Sequence, residues 1–336
     1  MGRFRFPTIS VLNDAPLVVA QYDSDFERRH AELSERLAAE RINRVAVFLQ
    51  LGFEHEDQSL ADGLANAVKS FLSDSPFAKV TILCNTPREV ERFTERSIQA
   101  VFCHQNAFLD ESRYPILPLP RVFDAVYLAR ITPVKRHLLL ETMASPKLLL
   151  AGAYELEQEH AYAEDVRNRL KAAVILPRFR GIEVSKLLCS SHCGLMLSPR
   201  EGANFATAEY SLCGLPVVNT PSIGGRELLC PVEFRTDVPA DGAAIARAIE
   251  NWVRNPPDPK AVRKAFLSLA KPHRERLYDL IEEFAGRRPS KLPHKLGLRV
   301  PPSSVLRSVA MWTYLRLMTL LSQLRLVAVT LTGGRR

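Results

Sequence analysis

Residues 196–225 read MLSPREGANFATAEYSLCGLPVVNTPSIGG, and this stretch decides the fold. An apolar run, Cys193–Leu197, ends at Ser-Pro-Arg. Glu201 and Glu209 then bracket seven residues, and a second apolar run, Leu215–Val218, stops just before Gly224-Gly225. The pattern predicts strand, loop, short helix and strand, with polar groups gathered where the strands end. Ligands bind outside the carboxyl ends of open parallel sheets, and a helix N-terminus placed there favours an anion. If the whole segment were helical, the two glutamates would lie roughly 12 Å apart along the axis and about 80° apart around it. That exceeds the roughly 5–9.5 Å of a glycosidase carboxylate pair. The pair therefore suits hydroxyls at two ends of a long polyol better than an acid and base on one bond. A capping glutamate followed by a surface glutamate is the plainer alternative.

Glu201-Gly-Ala-Asn-Phe-Ala-Thr-Ala-Glu209, with Cys-Gly-Leu-Pro-Val-Val-Asn and Gly224-Gly225 behind it, resembles the E-x7-E signature of family-4 retaining glycosyltransferases of the GT-B fold. The resemblance implies that Glu201 meets the donor sugar and Glu209 the nucleotide ribose. It also implies that the backbone of Gly202, Ala203, Asn204 and Phe205 meets sugar and phosphate. The family usually carries Gly-Phe-Gly after its first glutamate, where this chain has Gly-Ala-Asn-Phe. Ser222-Ile-Gly224-Gly225 with Arg226-Glu227 resembles the family's Gly-Gly-x-x-Glu turn, whose glycines let backbone approach phosphate closely.

Upstream, the strand Phe123–Leu128 leads into Ala129-Arg130-Ile-Thr-Pro-Val-Lys135-Arg136. Two cations on a loop after a strand suit a leaving diphosphate, since Arg offers a planar fork of donors and Lys a mobile point charge. A solvated basic loop is the alternative. The segment resembles the family's Gly-Arg-Leu-x-Pro-x-Lys-Gly element, with Ala129 and Arg136 in place of the glycines. By that resemblance Arg130 and Lys135 hold the diphosphate. Pro177-Arg-Phe-Arg-Gly181 stands where the family's loop receives the base, so Arg178 or Phe179 is the candidate stacking partner.

Around this core the chain reads as α/β: two Rossmann-like parallel-sheet domains in the GT-B arrangement, the first short, plus a C-terminal basic amphipathic helix. The expected domains are 1–120 on the acceptor side, 121–285 for the nucleotide-sugar, and a tail at 286–336. In the first domain we expect helices at Asp23–Glu40, Ser59–Leu72 and Pro87–Ser97, and strands at Arg44–Leu51, Lys79–Cys84 and Ile98–Cys103. Asp23-Ser-Asp25 invites comparison with a metal-binding D-x-D, but it follows only about twenty residues of chain, and a helix N-cap explains it better. Gln50-Leu-Gly52 is the nearest approach to the Gly-rich loop that the family has after its first strand. His104 and Asn106 follow the last strand where the family has an Asn-Gly-Val-Asp element. Either they face the cleft, or His104 is a hydrogen-bonded structural residue. Tyr114–Pro120 reads as an interdomain linker.

The chain is 336 residues long with 46% hydrophobic residues, an ordinary globular composition of two-domain size. Its six cysteines are scattered through apolar runs, as reduced core thiols would be. The net charge of +8 is uneven, for ten Lys and Arg residues and no acids lie beyond Glu283. The body is nearly neutral, and no basic groove lined with aromatics is evident, which argues against nucleic acid as a partner. Ser303–Leu331 is rich in Leu, Val and Met but interrupted by Arg307, Arg316 and Arg325, too often for a bilayer span of about 20 apolar residues. It reads as a helix lying on an anionic membrane surface, or as one packed on protein.

The expected function is retaining transfer of a sugar from a nucleotide-diphosphate donor to a glycan or lipid-linked acceptor, in surface glycan or glycolipid synthesis. The resemblance implies neither metal nor cofactor beyond the donor itself. The expected location is cytoplasmic, peripheral on the cytoplasmic face of the membrane. The alternative is a non-catalytic sugar-nucleotide-binding scaffold or interaction subunit at the membrane.

Overall fold

The computed structural model describes residues 5–177, 182–290 and 292. The expected tail helix at 303–331, and Arg178 and Phe179, lie outside the described residues.

The first sheet contains β1 (Ser10–Asp14), β2 (Leu17–Tyr22), β3 (Val45–Gln50), β4 (Ala78–Cys84) and β5 (Ala100–Phe102), lying side by side in chain order. The pairs from β2 to β5 are parallel, while β1 is an antiparallel edge strand that sequence patterning did not reveal. Helices α1 (Asp23–Ala39), α2 (Gln58–Asp74) and α3 (Pro87–Thr94) make the crossovers. Every crossover steps in the same direction, so right-handed connections place all three helices on one face. Alternation sorts the side chains accordingly. Leu17, Val19, Val45, Val47, Leu49, Val80 and Ile82 pack against Phe26, Leu33, Leu64, Val68 and Phe71. Val18, Ala20, Ala46, Phe48 and Leu83 face the other way.

The second sheet is doubly wound. Its strands are β6 (Phe123–Leu128), β7 (Leu148–Ala151), β8 (Val174–Ile175), β9 (Ser191–Met196), β10 (Val217–Asn219) and β11 (Arg235–Asp237). They run in the order β11-β10-β9-β6-β7-β8, all parallel. The chain moves outward from β6 to β8, returns, and moves outward on the other side from β9. The strand order therefore reverses between β6 and β9, the point outside whose carboxyl ends such sheets bind ligands. Helices α4 (His160–Arg169) and α7 (Gly242–Arg254) bury Ala163, Val166, Ile245 and Ile249 on one face. Helix α6 (Phe205–Leu212) lies on the other, with α5 (Ile182–Cys189) preceding β9. Gly194 has no side chain because the ring of Tyr210 lies directly over it.

One long helix joins the two halves. Helix α8 (Pro259–Ala285) starts with an Asp258 cap and Pro259, and ends at Gly286 in the left-handed region. Its first half runs beside α6. Its last turns lay Leu277, Ile281 and Phe284 on the face of the first sheet that α1–α3 leave bare. Each such buried side chain contributes about 1.5–3 kcal/mol, so α8 replaces the second helical layer that the short first half does not build for itself.

Candidate active site

Strands β6 and β9 pair from Phe123 and Ser191 only as far as Val126 and Gly194. Beyond that point they part, and the Tyr210 hydroxyl fills the gap. It accepts from the Leu128 N–H at 2.7 Å and donates to the Leu195 carbonyl at 3.3 Å. Two loops leave from this fork. The loop after β6 carries Arg130 and Lys135, and the loop after β9 carries Glu201.

The structure brings Lys135 and Glu201 into contact. The Lys135 ammonium donates to Oε1 of Glu201. The other oxygen, Oε2, accepts from Asn204 Nδ2 at 3.0 Å and lies 3.4 Å from Nη1 of Arg226. Arg130, on the same loop as Lys135, pairs with Glu159 at 3.3 Å. Burial, then Arg226 and Arg130, pulls the Lys135 ammonium below its ordinary range. An anion entering here would meet preplaced positive charge in a partly dry setting. Arg136, where a glycine was expected, adopts φ 52°, the left-handed geometry that a glycine takes without cost.

The loop backbone explains a failure of the helical spacing argument. Asn204, at φ 32°, caps α6 by accepting from the Ala206 N–H at 3.0 Å, so the helix begins only at Phe205. Glu201 precedes the helix, and the 12 Å separation assumed for a continuous helix does not describe the pair. Gly202 and Ala203 are buried, with Gly202 against the backbone of Phe53. Gly52 and Phe53 thus belong to the wall of the site, held in place by Asp23. The Asp23 carboxylate is not a helix cap. It accepts from Ser24 at 2.6 Å and from Gly52 at 3.0 Å, while Tyr22 occupies the cap position.

Glu209 sits on α6, buried, and accepts from the Tyr114 hydroxyl at 2.8 Å. Tyr114 lies in the linker and was not singled out in the sequence. A tyrosine opening a Pro-rich run was the available signal.

Gly224 and Gly225 take φ 104° and 84°. A Cβ on Gly224 would collide with the Glu201 carbonyl and Cβ of Glu54, and one on Gly225 with Thr86 and Asn85. Their freedom is therefore used to seat the turn against the first sheet. The turn is further fixed to the Glu201 loop, since Glu201 N donates to Ile223 O at 2.9 Å and Ile223 N to Pro199 O at 3.0 Å.

His104 and Asn106 are both fully buried. Asn106 Nδ2 donates to the carbonyls of Ala203 and Asn204. His104 Nδ1 accepts from Asn106 N at 3.2 Å, which leaves the ring proton on Nε2, donated to the Gly225 carbonyl at 3.1 Å. These two residues tie the first sheet to the loop after Glu201 and to the Gly224-Gly225 turn. Burial drives the His104 pKa down to about 3, partly offset by the Gly225 carbonyl. The folded chain thus holds one proton fewer here than the unfolded chain between pH 6.5 and 3. The stability from neutral His104 is complete above pH ~6.5 and drains on acidification by about 1.4 kcal/mol per pH unit. His137, buried and also lowered to about 3, acts in the same direction. Below pH ~6.5 these two histidines pull Tm down, against the opposite pull of Glu89, whose carboxyl burial raises to about 7, so His104→Gln should lose less Tm on acidification than wild type. An unchanged slope in the variant would rule out the assignment to His104.

Arg226 escaped the sequence reading because it looked like one more residue of a turn. It is fully buried. Among the described residues, no group of three His, Cys, Asp or Glu side chains is arranged to hold a metal ion. Likewise, no described helix is long and apolar enough to cross a membrane.

Residues 126–255 match the family described as Glycosyl transferases group 1. No curated protein sequence matches the chain. Among solved structures the chain resembles HepE of Anabaena in complex with UDP, with TM-score 0.56 and 15% identity over 76% of this chain and 77% of that one. It also resembles a glycosyltransferase of Rickettsia africae, with TM-score 0.53 and 15% identity over 77% of this chain and 81% of that one. A third is the UDP-forming alpha,alpha-trehalose-phosphate synthase of Burkholderia xenovorans in complex with glucose-6-phosphate, with TM-score 0.52 and 10% identity over 77% and 78%. These likenesses identify the fold as GT-B, as the sequence led us to expect.

Proposed function

We propose that this chain, which carries a group 1 glycosyl transferase module over residues 126–255, moves a sugar from a nucleotide-diphosphate donor to an acceptor with retention at the anomeric carbon. The observation that carries the reading is the contact of Lys135 with Glu201 at the fork of β6 and β9, with Arg130 on the same loop as Lys135. An ammonium has three N–H donors. One meets Glu201, leaving two for a diphosphate oxygen. As charge builds on the departing phosphate, Lys135 and Arg130 stabilise it without reorganisation and without calling on a metal ion. Glu201 orients the sugar hydroxyls, Glu209 the ribose, and the Gly202–Phe205 and Gly224-Gly225 backbones the phosphates. The acceptor is a surface glycan or a lipid-linked sugar. The test is a panel of uridine, guanosine, adenosine and thymidine diphosphate sugars, with and without EDTA. Nucleoside diphosphate release with transfer in EDTA is expected, and silence across the panel would refute the proposal.

A second reading is a subunit that binds a sugar nucleotide without turning it over. The first sheet favours it, since its strands run in simple order and provide no reversal of their own for an acceptor crevice. Equilibrium dialysis with the same panel separates the two, because binding without product selects the scaffold.

We also assign the basic segment 303–331 to an anionic membrane surface, at the cytoplasmic face. Deleting 300–336 should move the protein from the membrane pellet to the supernatant in low salt. Full retention in the pellet would end that assignment.

A further inference from the structure

Arg226 is a guanidinium closed off from solvent and held on a rigid frame. Its Nη2 donates to the Met196 carbonyl at 3.0 Å, to Asn219 Oδ1 at 3.0 Å and to the Thr220 carbonyl at 2.7 Å. These acceptors lie at the ends of β9 and β10. Asn219 is itself fixed, since its Nδ2 donates to Asp237 of β11 at 2.6 Å. From this frame Nη1 reaches Oε2 of Glu201 at 3.4 Å. A polar chain therefore crosses three strand ends, from Asp237 through Asn219 and Arg226 to Glu201 and Lys135.

A buried guanidinium is expensive to desolvate, and among the described residues its ion pair is with Glu201, which faces it from the more open side. Three neutral acceptors at strand ends are better explained as a mount than as stabilisation. Glu201 needs such a mount. It sits in a loop, ahead of the helix, and has no secondary structure of its own to fix its rotamer.

We propose that Arg226 is the positioning residue for Glu201, transmitting the geometry of β9 and β10 to that carboxylate so that it and Lys135 keep their relative places as a donor enters. The inference rests on the transferase reading given above. Because Arg226 is enclosed, it touches neither donor nor acceptor and acts only through Glu201.

The test compares wild type, Arg226→Met, Arg226→Lys, Glu201→Gln and the Arg226→Met/Glu201→Gln double variant in the full chain. Transfer and unfolding are measured on the same samples, with kcat expressed per folded molecule. Arg226→Met should lower kcat 10- to 100-fold, in line with misplacement of a reacting group. Donor KM should change less than about threefold, and Arg226→Lys should recover part of kcat. The double variant should be no slower than Glu201→Gln alone. A purely structural arginine would lower Tm, leave kcat per folded molecule near wild type and give additive effects, and either of the last two results overturns the proposal. A wild type that turns over no donor in the panel removes the transferase reading and the positioning role with it. An active wild type with an indifferent Arg226 removes the positioning role alone.

Discussion

Lys135→Ala is expected to lose sugar transfer by about 10²–10³-fold, the size of effect seen when one preorganised donor to a developing oxyanion is removed. The fold should survive. Glu201 would keep Asn204 at 3.0 Å and Arg226 at 3.4 Å, so no buried carboxylate is orphaned. Removing a partly buried ammonium also relieves the desolvation that depresses its pKa. Tm should stay within a few degrees of wild type, while kcat collapses more than donor KM rises. Nucleoside diphosphate release in a coupled assay measures the first quantity and differential scanning fluorimetry the second. Transfer within threefold of wild type would show that the diphosphate is stabilised elsewhere. A collapse of Tm in step with activity would show that the lysine is structural.

Gly224→Ala is expected to destabilise the chain by about 2–6 kcal/mol, the sum of backbone strain at a position reserved for glycine and overpacking of a closed contact. At φ 104° a side chain is strained in any surroundings, and here a Cβ would also strike the Glu201 carbonyl and Glu54. For a chain of 336 residues that corresponds to a Tm loss of about 3–9 °C. Activity should fall further than stability predicts, because the turn cannot yield without pushing Glu201 away from Lys135. Calorimetry and kcat per folded molecule separate the two effects. A variant with native Tm and native kcat would mean that the turn reshapes freely and that its glycines serve another purpose.

Much of this was written in local pattern. Apolar runs ending at Ser198-Pro199-Arg200 and Ala129-Arg130 marked strand ends, because β-strands buried on both faces read as continuous hydrophobic segments. Helices such as α1, α2 and α3 were legible from helical period. Arg130, Lys135 and Glu201 stood out as charged residues on loops after apolar runs and Glu209 by its spacing from Glu201, while their expected roles came from the family resemblance.

What the chain could not disclose was which strands would be neighbours. Strand order decides that β6 and β9 flank a fork, and therefore that Lys135 meets Glu201 across 66 positions of sequence. The same order decides that the first sheet is bare on one face until α8 covers it. Arg226, Tyr210, Tyr114 and His104 owe their roles to partners that only packing supplies. A buried arginine at a turn and an exposed one look alike in sequence, because periodicity reports which way a residue points and not what waits there. Local propensity is set by near neighbours along the chain, whereas the polar partners of these groups come from separate strand ends, so their meaning exists only once the two sheets are assembled.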